Sequence, residues 1–444
     1  MAIYLWIATP LLLAFCFLIQ PFQAPDEPAH FFRAVQLSHG SVMPVLAASH
    51  DAAGAPVEQG AVELAHGFRP PSAIVTRYSP AEVVRRLDRP AGPRVFAEFN
   101  NTVIYFPPPY MGSALGVLIA RAAGAPPLVW FYAARLMNVL LALGVTAAAL
   151  AVFRERGLLP LIAGLLPMTL FEEASLSADA VLLPFAFLLT AILCEIAMGR
   201  PGRGWRDPVL LLSLLVTCVG KIAYIPLAFL PPVVAWAQGQ RRGEIAKLAA
   251  FSALTLGAWV AWAFVVRHQV FNIRPGVHVD VDEQLALVIA LPVAAAKIIL
   301  GSMAHDASHM AKLMVGSNMG WFDVVLPRLL VDALIGVLAL GVVLSRPVPG
   351  VRLLSRATVL AGLAGCALAI YGLIYLQYNA VGAPEVDGVQ GRYFTPLVPL
   401  LLLLLPPIPL WRGVRERGGW VLVGLCALGS VAALAVVTLF YWRV

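Results

Sequence analysis

"AIYLWIATPLLLAFCFLIQPFQAPDEPAHFFRA", residues 2–34, is apolar almost without a break to Phe22 and then presents two adjacent carboxylates, Asp26 and Glu27, followed by His30. An apolar run of about 20 residues is what a helix needs to cross a bilayer. The run has no basic leader and no small-residue cleavage site, so it is read as a retained first span rather than a signal peptide. Pro28 in a first turn and Gly40 beyond the end frame a short amphipathic helix over 27–38, with Asp26 as its N-cap. The same carboxylate, just outside a span and desolvated by Phe31 and Phe32, is also suited to accepting a proton.

The rest of the chain repeats the apolar run. Its 444 residues are 60% hydrophobic and 12% charged, with a mean hydropathy of +0.83, which predicts an all-α polytopic membrane protein. Spans are expected at about 3–22, 128–152, 157–171, 180–198, 208–220, 222–238, 247–267, 324–345, 357–378, 393–411 and 419–441, eleven in all. Arginines gather after alternate spans: Arg154 and Arg156; Arg200, Arg203 and Arg206; Arg241, Arg242 and Lys247; Arg346, Arg352 and Arg356; Arg412, Arg415 and Arg417. The positive-inside rule makes those loops cytoplasmic and leaves the N-terminus inside and the C-terminus outside. Read this way, the net charge of +7 is a topology signal and not a nucleic-acid footprint. The five cysteines all lie in apolar runs without paired spacing and read as packing residues.

Two further apolar stretches, 108–123 and 285–303, would place later arginine clusters outside if each crossed alone. They are therefore expected as juxtamembrane or re-entrant helices of the outer loops 23–127 and 268–323. Segment 208–238, interrupted at Lys221, is expected to be two broken half-helices at a cavity. No G-x-G-x-x-G or Walker sequence occurs, so a nucleotide-driven pump or a nucleotide-sugar enzyme has nowhere to hold its ligand.

On this topology most carboxylates face outward. Glu172, Glu173 and Asp179 in "FEEASLSAD" form a second acidic cluster; Asp179 favours a helix dipole, and the three could share a divalent cation, although their spacing is specific for no metal. Lys221 and Arg392 at the outer side are either snorkelling residues or anion ligands. Arg328 and Asp332, spaced i,i+4, read as a structural pair inside a span. Tyr105 and Tyr110 flank a stiff proline turn, as interfacial aromatics do.

Taken in order, "PDEPAHFFRA" (25–34), "YFPPPY" (105–110), "ARLMN" (134–138), "ASLSAD" (174–179), "GKIAYIPL" (220–227) and "GRYFTPLVPL" (391–400) resemble bacterial multispanning proteins placed with the GT-C glycosyltransferases. The resemblance covers nearly the whole chain and implies a GT-C-like bundle in the bacterial plasma membrane, with an extracytoplasmic active site. It implies a donor sugar carried on polyprenyl phosphate and a glycan or lipid acceptor. The catalytic acid after the first span maps onto Asp26, with Glu27 adjacent. The second-loop acid maps onto Asp179, with Glu172 and Glu173 as neighbours, and the phosphate ligands map onto Lys221 and Arg392. His30, Tyr105, Arg135 and Tyr393 complete the expected substrate-binding set. The chain departs from the large GT-C members in having no soluble domain after its last span, so acceptor recognition is expected from 23–127 and 268–323. A flippase for lipid-linked saccharides and a polysaccharide polymerase or ligase are the competing functions.

Overall fold

The computed structural model describes residues 1–49, 52–69, 75, 77–200, 202, 204–269, 271, 272, 274 and 276–443; Arg203 of the second basic cluster lies outside them. Among the described residues five helices are long and apolar enough to cross a bilayer: Pro127–Arg156, Asp179–Ala197, Arg242–Val266, Leu353–Gln377 and Arg412–Tyr441. A sixth crossing is supplied if Val281–Ala290 and Pro292–Val315 are one span, but these are bent by 108° where Pro292 interrupts the backbone ladder.

The other expected spans are short or broken. Ala2–Leu18 has 17 residues, as does Arg328–Leu344. Segment 157–171 is two helices, Leu158–Leu165 and Pro167–Glu173, separated by the extended Leu166. In 208–238 the helix Arg206–Leu214 passes through a π-turn at Leu215–Val219, stops at an extended Lys221, and resumes as a tight turn and then Leu230–Ala237. Gly220 sits at that break because a Cβ there would collide with the Val216 carbonyl. Arg328 and Asp332 do pair at i,i+4, 3.6 Å apart, but on the outer surface of the bundle rather than within it.

The basic loops meet at one end. Arg346 pairs with Glu155 and reaches Glu416 at 3.8 Å, Lys247 holds Asp207 at 2.7 Å, Arg206 pairs with Glu244, and Gln238 donates to the carbonyls of Ala197 and Gly350. At the opposite end Trp442 donates to the Leu18 carbonyl, Arg443 N–H to Tyr78, and Trp321 to Phe22 at 3.0 Å. The chain therefore starts at the arginine end and finishes at the end that carries 23–127. All five cysteines are free and buried.

Region 23–127 builds its own apolar centre on the flank of Pro127–Phe153, with Phe22, Phe31, Phe68 and Phe131 packed ring to ring. Glu27–Ser38 forms as expected, closed by Gly40 at φ +74°. Met111–Ala122, 12 residues long and too short to cross alone, lies against Pro127–Phe153, where Gly116 leaves room for the Ala133 backbone. The region is not purely helical: β1 (Val45–Leu46), β2 (Ala53–Glu58) and β3 (Arg94–Glu98) form an antiparallel sheet with Gly54 opposite Glu98 and Glu58 opposite Arg94. A two-stranded ribbon, Asn318–Met319 with Val324–Val325, follows Pro292–Val315.

Candidate functional site

Asp26 begins Glu27–Ser38 in the left-handed conformation, φ 59° and ψ 9°, which aspartate tolerates better than most residues. Its side chain does not cap the helix, contrary to the sequence reading. One carboxylate oxygen instead accepts from Asn101 Nδ2 at 2.8 Å, and the other has no partner among the described residues and opens onto a cleft of about 1030 Å3. The Asp26 carboxyl lies above its ordinary range because burial disfavours the charged form, while Arg392, Asn101 and Lys221 pull the other way.

One turn on, His30 also lines the cleft, its Nδ1 2.7 Å from the Tyr110 hydroxyl and its ring stacked near Tyr105. Burial holds the imidazole neutral, down at about 3, with Asp179 opposing and Arg392 and Lys221 reinforcing. Tyr105 lines the cleft too, and burial raises its phenol. Opposite them, Tyr393 forms part of the wall, held by the Tyr224 hydroxyl, which donates to the Tyr393 carbonyl at 2.7 Å. More of the wall comes from 268–323, from the end of Leu353–Gln377 and from 387–390, including Trp321, Phe322, Gln377 and Gln390.

Behind Tyr393 lie the two outer cations. Lys221 Nζ contacts both Asp179 oxygens at 3.0 Å and sits 3.9 Å from the centre of the Tyr393 ring. The extended backbone at the helix break is what projects it there. Arg392 Nη1 pairs with Glu172, and its buried Nε has no partner among the described residues. This pair lines a small hollow that shares Pro25, Phe322 and Gln390 with the main cleft. Ser177 Oγ accepts the Ala180 N–H at 3.1 Å just ahead of Asp179–Ala197, in whose first turn Asp179 stands.

Three expectations are corrected by this geometry. Glu27 is not beside Asp26 in the cleft: it is fully buried, and Arg135 grips it through Nε and Nη2 at 2.8 Å each. Arg135 correspondingly is held in the packing between helices and does not line the cleft. Its Nη1 donates to the carbonyls of Cys16 and Ile19 at 3.0 and 2.9 Å, closing the end of Ala2–Leu18, while Glu27 accepts the Leu176 N–H at 2.9 Å. The second acidic cluster is divided, since Asp179 and Glu172 are taken by separate cations and Glu173 is buried with neither oxygen partnered among the described residues. Among the described residues no group of three or more His, Cys, Asp or Glu side chains could hold a metal, so these donors do not fit the divalent cation considered from sequence. Asn101 was missed. It stands in a plain "NN" pair, and only the fold brings it to Asp26, 75 residues away.

The class so defined is a multi-helix membrane protein with an acid-and-cation cleft at one end of its bundle. The chain belongs to the DUF2142 family of predicted membrane proteins, whose profile matches residues 11–401. No curated protein and no solved structure matches it.

Proposed function

We propose that this chain is an inverting GT-C-type glycosyltransferase that moves a sugar from a polyprenyl-phosphate carrier to a glycan or lipid acceptor at the extracytoplasmic face of a bacterial plasma membrane. The observation that carries this reading is the unpartnered Asp26 oxygen, open to a large cleft that Lys221 and Arg392 reach electrostatically. In this reading the shorter and broken apolar helices also cross, giving eleven crossings with the arginine end inside.

The chemistry needs one proton acceptor and fixed positive charge. The acceptor hydroxyl attacks the anomeric carbon, its proton passes to Asp26, and the bond to the phosphate oxygen breaks with its electron pair on the phosphate. That leaving group departs as a stable anion and needs no acid. Lys221 and the free Nε of Arg392 would stabilise the growing charge, with Asp179 and Glu172 holding both cations in place before donor binds. A carboxyl of raised basicity is better matched to this work than an ordinary one. His30, held neutral, can donate or accept a hydrogen bond to a sugar hydroxyl without adding charge. Glu27 and Arg135 act as the clamp that holds the start of Glu27–Ser38 against the first helix.

The test is transfer by purified protein supplied with polyprenyl-phosphate sugars and acceptor glycans or lipids, wild type beside Asp26→Asn. Transfer that survives in the variant rejects Asp26 as the base. Donor crossing the membrane without transfer rejects the enzyme in favour of a flippase.

A further inference from the structure

We propose that the arginine end of the bundle, opposite the Asp26 cleft, binds the phosphate head group of an anionic phospholipid and lays one acyl chain in the apolar groove beside it. Two adjoining hollows make this site. The first, of about 350 Å3, is lined by Arg156, Arg346, Arg412 and Arg415 against a single carboxylate, Glu155. The second, of about 300 Å3, shares Glu155, Arg346 and Arg415 with it, and its remaining wall is mostly apolar, with Leu158, Leu344, Trp420 and Val423.

The charges are not balanced within the protein. Glu155 is taken by Arg346 and Glu416 by Arg412 at 2.7 Å, which leaves Arg156 and Arg415 without a carboxylate among the described residues. Arg156 is only 7% exposed, and among the described residues its Nε has no partner; the Nε of Arg415 is likewise buried and unpartnered there. Buried guanidinium N–H groups left unpaired are costly, and phosphate oxygens are the acceptors whose geometry the guanidinium fork fits. Topology alone asks for arginines near the ends of spans. It asks neither for a buried one nor for a groove leading away from it. The groove decides between a free anion and a lipid: a soluble phosphate would use only the first hollow, whereas an amphiphile fills both. Trp420, 55% exposed along the groove, offers the aromatic surface that meets lipid at an interface.

Native mass spectrometry of the full chain in detergent, with phosphatidylglycerol, phosphatidylcholine of the same acyl chains, and glycerol phosphate as probes, tests this. Phosphatidylglycerol should be retained at least about tenfold better than phosphatidylcholine, whose choline ammonium sets a further positive charge beside the arginines. Arg156→Gln with Arg415→Gln should abolish that preference. Arg346→Gln with Arg412→Gln, at more exposed positions, should weaken it and decides the matter if the first pair fails to fold. Trp420→Ala should weaken phosphatidylglycerol without changing glycerol phosphate. Equal retention of the two lipids, or a preference untouched by the arginine pairs, overturns the proposal; glycerol phosphate bound as tightly as the lipid overturns its acyl-chain half.

Discussion

Asp26 has one carboxylate oxygen on a single amide and the other open to the cleft, whereas the next residue, Glu27, has its oxygens closed by Arg135, Leu176 and Ala24 in the packing. One step along the chain turns the side chain from the wall of a cavity into the seam between helices. On the proposed mechanism, what separates the proton acceptor from the structural acid is therefore its partners. A bidentate guanidinium and two backbone N–H groups saturate Glu27, and the same helix start leaves Asp26 underbonded in a low-dielectric setting where its basicity rises. The other acid–cation pairs fall between these limits. Asp179 and Glu172 are paired, yet their cations stand behind the cleft, and Arg392 retains a buried unused N–H.

Substitutions at these neighbours should part activity from stability. Asp26→Asn should lower transfer by about 10²–10⁴-fold, the value of a positioned general base, with little change in thermal unfolding, because asparagine accepts the left-handed backbone. Glu27→Gln should do the reverse, costing about 3–5 kcal/mol of stability by stranding a buried Arg135. An unfolding midpoint in detergent equal to wild type would erase the distinction drawn between the two. Lys221→Met should lower transfer by about 10²–10³-fold, read chiefly in kcat if the cation serves the transition state. The smallest effect belongs to Asn101→Ala. As the proposed base, Asp26 must be deprotonated to act, and its raised pKa should place the acidic limb of the pH–rate profile above the ordinary carboxylate range. Asn101 donates to the charged form, so its removal should move that limb to still higher pH. A limb that stays put, or moves down, would mean the profile reports another group.

Much of the frame was legible from residue order. Pro28 and Gly40 bracketed Glu27–Ser38 to the residue, and the glycine–lysine step at 220–221 marked a helix break that the fold uses to aim a cation. Periodicity reads elements whose ends carry local signals. It could not read β2, whose "AGAPVE" has the composition of a loop; Gly54 is needed there because a Cβ would strike the Ala97 carbonyl, a contact set by a strand 40 residues on. Nor could it pair Glu27 with Arg135 across 108 positions, since an arginine one face away on the helix would have read the same. Snorkelling and anion binding are equal readings of Lys221 in the sequence, because its neighbours Tyr393 and Asp179 are distant along the chain.

Phe22 and Asp26 both take positive φ, and Phe22 is fully buried among Phe31, Phe68 and Phe131. The strand of chain between the first helix and the carboxylate is thus pinned midway and reversed at two fixed joints, which makes residues 19–25 a gauge of height above the helix end. A related chain could lengthen its outer loops almost anywhere else. One residue added or removed inside that gauge would rotate the aspartate out of the cleft and break the Arg135 seam in the same stroke.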